Sequence, residues 1–467
     1  MKKITFFLSA ILISLMFTSC FKDMDDEVGQ ASTLDIQNFI YHGLNFYYLY
    51  KAEIPELADD AFASQSDLNN FLRSFNSPES LFNNLLASED RFSFIISDYR
   101  VLENSLDGIS LHNGMEFGLV QIQSSGEIFG IVRYVLPNTS ADEKGVQRGM
   151  IFNRIDGENL TENTYVDLLS QTSYTIGLAN LNGNELVPID ETFALIKQQY
   201  TENPIYIHKV LTVNGHKIGY LMYNAFTSQF DDQLNAVFAD FKAQGITDLV
   251  LDERYNGGGS IESANDLSSM ITGQFNGELF ITQVYNENFP PEERLFNNKI
   301  GSGATINSLQ LNRVYILTTA SSASASELVI SALMPYIDVI QIGDFTTGKF
   351  QGSTIVYDSP DFTKHNINLG HRYAMLPLIL KSMNANGFTD YANGIEPDIF
   401  LKENYTNYGT LGEPTEPLLA TALAEIVQAP RPFELMPEEL NKFKNIGESD
   451  MHSPTYRKMF IEFPKTE

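Results

Sequence analysis

Apolar positions change their spacing along the chain, and the changes divide it. Between residues 33 and 100 they recur at helical spacing, at Leu34, Ile36, Phe39, Ile40 and Leu44, followed by the aromatics Phe46, Tyr47, Tyr48 and Tyr50. Residues 68–75 and 78–86 read as two further helices, the second opened by Ser77-Pro78-Glu79 with proline in the first helical position. From residue 114 to 200 the pattern becomes that of strands, at 117–122, 128–135 and 186–189. From Ile205 the two periods alternate. Residues 206–212 and 218–223 flank an Asn214-Gly215 hairpin turn. Leu234, Val237, Phe238 and Phe241 mark a helix face closed by Gly245; residues 246–251 read as a buried strand, and another helix begins near Ile261. Strands alternating with helices predict an α/β core with mostly parallel pairing. A last helix is expected over 416–427, with Thr415 as its cap.

The densest candidate chemistry lies in residues 314–353. Residues 314–319 are β-branched and apolar and read as a buried strand. Ser324-Ala325-Ser326-Glu327 follow, and Leu328, Val329, Ala332 and Leu333 continue at helical spacing. A second strand at 339–342 leads to Gly348-Lys349. A serine thus stands where a strand turns into a helix, and a lysine where the next strand ends. In a parallel sheet both points fall at the carboxyl edge. A lysine can take the proton of a serine hydroxyl only when neutral, so burial or nearby positive charge must lower its pKa. Phe345, Phe350 and the sheet edge are the expected surroundings. The plainer readings are a helix-capping serine and a loop lysine.

Composition narrows the partners. With 467 residues the chain has room for about three domains. Its hydrophobic fraction of 43% and charged fraction of 19% are globular values. A formal net charge of -29 argues against nucleic acid and against anionic membrane surfaces as partners. No cofactor and no metal are expected. Gly257-Gly258-Gly259 lacks the Gly-Lys-Ser/Thr that follows in a phosphate cradle, and His365 and His371 are too isolated for a metal motif. Met1-Lys2-Lys3, the apolar run 4–17 and Thr18-Ser19-Cys20 predict a secretory signal over 1–19. Cys20 is the only cysteine, so no intrachain disulfide can form. Residues 20–32 read as an acidic tether.

Three resemblances add to this reading. The small residues before a lone cysteine resemble a bacterial lipoprotein cleavage box, and the acidic run after it is similar to export signals of Bacteroidota surface lipoproteins. That implies lipidation at Cys20 and a place in the cell envelope of a Gram-negative bacterium, with the membrane reached through the N-terminal lipid only. The stretch 140–151, followed by Ile155-Asp156-Gly157, resembles a PDZ domain. It implies that Phe117-Gly118-Leu119 holds a peptide's terminal carboxylate by backbone N–H groups. Glu116 stands there where a glycine is common, and its charge repels a carboxylate.

Finally, residues 251–259, Ser322-Ala323-Ser324-Ala325-Ser326-Glu327, Thr346-Thr347-Gly348-Lys349 and Gly394-Ile395-Glu396-Pro397-Asp398 resemble, in that order, the C-terminal processing (tail-specific) serine peptidases. The resemblance implies a Ser324–Lys349 dyad that hydrolyses peptide bonds through an acyl-enzyme, acting on protein or peptide substrates. It implies oxyanion donors on the backbone of Ala325 and of Gly258 or Gly259, and Glu327 and Thr346 as support for the site. The family often has a glutamine four residues after the lysine. Ser353 occupies that position here, with Gln351 two residues earlier, and these are the two possible lysine partners. The expected fold class is mixed α/β: a helical segment over 33–105, a β-rich PDZ-like domain over 110–202 and an α/β ClpP/crotonase-like peptidase domain over 203–428. A C-terminal extension over 429–467 receives no role. The alternative is a catalytically weak or inactive peptide- or ligand-binding protein on the same scaffold.

Overall fold

The structure, a computed structural model, describes residues 29–433 and 442–461. The expected signal segment, Cys20 and most of the acidic tether lie outside the described residues.

A six-stranded sheet organises the second half of the chain, in the order Ile205–Val213, His216–Tyr223, Asp248–Asp252, Arg313–Thr318, Asp338–Gly343, Ile399–Phe400. The first pair is the antiparallel hairpin, closed at Val213 and His216 around Asn214-Gly215; every later pairing is parallel. All five residues of Asp248–Asp252 are buried, because both faces of this strand are covered. Side chains alternate between two cores. Leu221, Leu249 and Leu251 pack with the helices Asp231–Gln244, Ile261–Ile271 and Ala325–Leu333. Tyr220, Met222 and Val250 pack against the helix Pro417–Ile426. That last helix is capped by Glu416, not by Thr415, because the Glu416 carboxylate reaches the backbone N–H of Leu419.

Residues 109–201 form a separate β module. The chain enters and leaves it along a two-stranded neck, Ile109–His112 against Gln198–Thr201. The module's sheet runs Met115–Ile122, Ile128–Val135, Ile151–Ile155, Ser173–Asn182, Glu185–Ile196. A strand from near the C-terminus, Phe443–Glu448, is added to its Met115–Ile122 edge. The N-terminal helices Thr33–Tyr47, Gln65–Leu72 and Pro78–Asn84 form their own core, with Ser77 capping the third.

A second six-stranded sheet runs in the order Gly259–Ser260, Met459–Phe460, Gln351–Ser353, Leu378–Met383, Leu279–Tyr285, Glu292–Leu295, and a three-stranded one in the order Phe94–Ile96, Ala374–Leu376, Val356–Tyr357. The extension that the sequence left without a role thus supplies two strands, one to the β module and one to the second six-stranded sheet. Its strands are short and partly polar. They are specified by the main-chain edges they pair with and carry little hydrophobic period of their own.

Candidate active site

Three loops leave the carboxyl ends of adjacent parallel strands and meet: residues 253–259, 319–324 and 344–350. Ser324 closes the second loop and stands immediately before the helix Ala325–Leu333, at φ +66° and ψ −111°. This backbone region is costly for any residue with a Cβ and persists only where its surroundings over-determine it. Here they do. The Ser324 carbonyl accepts from Leu328 N–H at 2.8 Å, and its own N–H donates to Glu327 Oε2 at 2.7 Å. Ser324 and Glu327 stand in capping-box positions, with the serine side chain facing the Glu327 backbone N–H but making no cap hydrogen bond of ordinary geometry. Ser324 Oγ is fully buried and has no hydrogen-bond partner among the described residues.

Glu327 ties the two halves of the site together. Its Oε2 accepts from the backbone N–H groups of both Ser324 and Lys349, at 2.7 and 2.8 Å. Its Oε1 accepts from Gly348 N–H and Thr346 Oγ1, both at 2.6 Å. Burial pushes this carboxyl up, and the donors around it pull the other way. Three backbone N–H groups and one hydroxyl converge on its two oxygens, and such donors favour the ionised form. Thr346 is held in turn: its hydroxyl accepts from Ile395 N–H at 2.7 Å. That contact gives the Gly394-Ile395 turn its place in the site, against the lysine loop.

Lys349 is fully buried, and its Nζ has no hydrogen-bond partner among the described residues. Burial, with help from the nearby Lys458 ammonium, holds its pKa well below the ordinary lysine value. The expected wall is only half right. Phe350 is buried, but Phe345 is 39% exposed and packs on Phe400. The aromatic face over Lys349 belongs to Phe92, 5.2 Å away, in the N-terminal segment. Arg91 beside it donates to the Gly348 carbonyl at 3.0 Å. No hydrogen bond joins Ser324 Oγ to Lys349 Nζ. Neither possible lysine partner reaches Nζ: Gln351 donates to Tyr50 Oη at 2.8 Å, and the buried Ser353 Oγ is unpartnered among the described residues.

The glycine loop lies against the serine. A Cβ on Gly258 would sit 2.6 Å from Ser324 Cβ and 3.0 Å from Ala325 N, so only glycine fits there. The Gly258 N–H donates to Asn256 Oδ1 at 2.9 Å, which occupies it in this state. Ala325 N–H begins the helix, where donors and the helix dipole favour negative charge. Gly259 is committed to pairing with the C-terminal strand. The sequence placed Asn256 in the glycine loop but gave it no role of its own. Its carbonyl accepts from Ala323 N–H and Ser326 Oγ, both at 3.0 Å, and so stitches the glycine loop to the serine turn. Lys458 was missed as well, because nothing in a polar C-terminal segment marks its approach to Lys349. Phe117, Gly118 and Leu119 lie on the edge strand of the β module, where the added strand covers them. Among the described residues no cluster of His, Cys, Asp and Glu is arranged to hold a metal ion.

Two family models match the chain: "Peptidase family S41" over residues 217–400 and "Peptidase S41 N-terminal domain" over 35–94, together more than half its length. A carboxy-terminal-processing protease of Bartonella bacilliformis is 27% identical over 355 residues, covering 72% of this chain and 73% of that protein. A carboxyl-terminal-processing protease of Picosynechococcus is 21% identical over 334 residues, covering 67% and 74%. Among solved structures, a Bacteroides fragilis chain assigned to the S41 proteases is similar at a TM-score of 0.66 and 27% identity, over 84% of this chain and 97% of that one. The photosystem II D1 C-terminal processing protease shares the fold, at a TM-score of 0.52 and 17% identity, over 86% and 100%. With a strand–turn–helix serine at the meeting of three loops, these matches define the class: a serine-type peptidase of mixed α/β fold that hydrolyses peptide bonds. Within that class, the chain belongs to peptidase family S41.

Proposed function

We propose that Ser324 is the nucleophile and Lys349 the general base of this peptidase, and that it processes protein substrates near their C-termini. One observation carries the proposal. Ser324 is held in a strained turn with its hydroxyl uncommitted, while a single carboxylate oxygen, Glu327 Oε2, fixes its backbone and that of Lys349. Neutral Lys349 would take the Oγ proton as Oγ adds to the scissile carbonyl carbon. Ala325 N–H would donate to the oxyanion. Collapse would expel the amine, which takes the proton from the Lys349 ammonium and leaves an acyl-serine. Water, deprotonated by Lys349, would then release the acid and restore Ser324.

The C-terminal preference rests on the relatives' names and on the motif order. The β module is PDZ-like in this reading and presents the edge Met115–Ile122 to extended peptide. Residues 1–19 act as a lipoprotein signal and Cys20 as the lipid-bearing residue, which places the enzyme on the cell envelope. Radiolabelled fatty acid incorporated by the full chain and lost in Cys20→Ala is the expected result for the anchor.

The site is tested with a serine-directed fluorophosphonate probe and a peptidase assay. Ser324→Ala and Lys349→Ala should each lower hydrolysis by about 10³-fold or more while leaving the fold intact. Because the Lys349 pKa is held well below its ordinary 10.5, kcat/KM should fall on acidification as Nζ gains its proton, with the inflection well below that value. Undiminished hydrolysis in either variant sinks the assignment.

A further inference from the structure

The C-terminal segment touches both peptide-binding regions at once. Phe443–Glu448 pairs antiparallel with Met115–Ile122, with Phe443 opposite Ile122 and Glu448 opposite Gly118. Ser449 N–H then donates to the Phe117 carbonyl at 3.0 Å, and Phe117 N–H donates to Ser449 Oγ at 3.3 Å. This is the place where the sequence led us to expect a substrate carboxylate. A chain that continues stands there instead, and Ser449 Oγ donates to Glu116. The residue that would repel a carboxylate is thus an acceptor for an internal serine.

From there the chain turns toward the active site. Glu448 accepts from Arg133 of the β module and from Ser321 Oγ of the loop before Ser324, both at 2.5 Å. Met459–Phe460 inserts between Gly259–Ser260 and Gln351–Ser353, parallel to both, and Ile461 N–H donates to the Ser353 carbonyl at 3.0 Å. The segment therefore lies between the glycine loop and the strand that follows Lys349. The Lys458 carbonyl oxygen, Ser324 Cβ and Ala325 N all lie within 3.0 Å of the point a Cβ on Gly258 would occupy. The Lys458 side chain is buried over the Phe94 ring and donates to the Phe92 carbonyl. A cavity of about 870 Å³ runs from Phe117 to Gly258, with Lys458 in its wall and neither Ser324 nor Lys349 lining it.

We infer that residues 442–461 are a tethered peptide that occupies the substrate's path from the β module's edge to Ser324, and that the peptidase is closed until this segment leaves. What displaces the tail is an extended peptide able to make the same main-chain pairings and to replace the side-chain contacts of Glu448, Ser449 and Lys458.

The inference rests on Ser324 as nucleophile, and the test separates the two. In the full chain, Ser449→Pro with Ile461→Pro removes two main-chain donors of the tail without touching the catalytic residues. Fluorophosphonate labelling of the double variant should be roughly tenfold faster or more. Separately, a recognition sequence for a site-specific endopeptidase is inserted between Phe433 and Lys442 and cut. A fluorescent peptide of residues 442–461 should then bind the cut protein freed of its tail, slow its labelling, and raise KM without lowering kcat; a scrambled peptide should do neither. Equal labelling of the double variant and the parent, or failure of the peptide to bind the tail-free protein, overturns the inference. If no form is labelled, the Ser324 assignment fails, and peptide binding alone still decides whether the tail is a detachable ligand of this path.

Discussion

Two gatherings of charge flank the glycine loop, and they are built in opposite ways. On the peptidase side, fully buried Arg254 meets Asp252 at 2.9 Å, Glu416 at 2.7 Å and Glu403 at 3.3 Å. Tyr220 donates to Asp252, and Glu416 also caps the last helix. Every partner is shared with a neighbour, and the network joins the central sheet to the helix that covers it. On the β-module side, Glu116, Glu202, Glu448 and Asp450 crowd around Arg133 and His112. Burial, and then the Glu116 charge, push Glu202 up to about 7. In the first cluster one guanidinium touches all three carboxylates; in the second, Glu116 and Glu448 have bound cations while Glu202 and Asp450 have no ion pair among the described residues. Carboxylates paired directly with a buried guanidinium hold one another's geometry; buried carboxylates without a bound cation are held less firmly. The contrast coincides with position, since the Arg254 cluster joins the central sheet to its covering helix and the other cluster holds the tail.

That contrast can be broken at several points. The largest effect is expected at Arg254. Arg254→Ala strands two buried carboxylates and should cost about 3–5 kcal/mol of global stability in denaturant titration. A loss under about 1 kcal/mol would mean the network is ornamental. Next comes Glu327→Ala, which frees the backbone N–H groups of Ser324, Gly348 and Lys349 together. We expect kcat to fall by about 10²-fold, as when preorganised electrostatics are lost, with KM little changed. A KM effect alone would place Glu327 outside the catalytic geometry.

A third, smaller effect distinguishes the second cluster. Arg133→Ala should speed hydrogen exchange across Phe443–Glu448 far more than it lowers the global unfolding free energy, because the tail can leave rather than keep Glu448 buried and unpaired. Uniform destabilisation would make the two clusters alike. The pH dependence is weaker still. Glu202 binds its proton more tightly in the folded chain, at about 7 against 4.5, so its contribution is full below 4.5 and is lost as pH rises through 7. Thermal melts at pH 5 and 8 should therefore converge in Glu202→Gln, and an unaltered pH dependence would remove Glu202 from the account. The smallest effect is expected at Ser353. Its buried Oγ has no partner among the described residues, so Ser353→Ala should change stability by less than about 1 kcal/mol. A large fall in kcat would instead show that it orients Lys349 when the site opens.

Much of the scaffold could be read from the chain because it is written in local periods. The hairpin around Asn214-Gly215, the buried strand at Asp248–Asp252 and the turn into Ala325–Leu333 all follow from spacing and turn chemistry. The serine and lysine stood out because parallel strands deliver their carboxyl ends to one edge. What the sequence could not display were contacts made across long separations. Phe92 covers Lys349 from more than two hundred residues upstream, and nothing near residue 92 announces it. Asn256 acts through its carbonyl and a short amide bond, which leave no pattern. The tail was illegible for a further reason: strand addition is specified by the edge that receives it, so Phe443–Glu448 need not alternate like a core strand.

The tail's attachment has a consequence for which peptides can be cut. A segment tied to the same chain meets its site at a local concentration of order millimolar, whatever the amount of enzyme present. Contacts that would be negligible for a free peptide then suffice to keep the door shut. A competitor that offers only the strand at Met115–Ile122, or only the residues beside Ser324, must win against a rival that engages both. Short peptides lose that contest on length alone. If the tail is the tethered ligand inferred above, long unfolded chain ends should be cleaved in preference to short fragments.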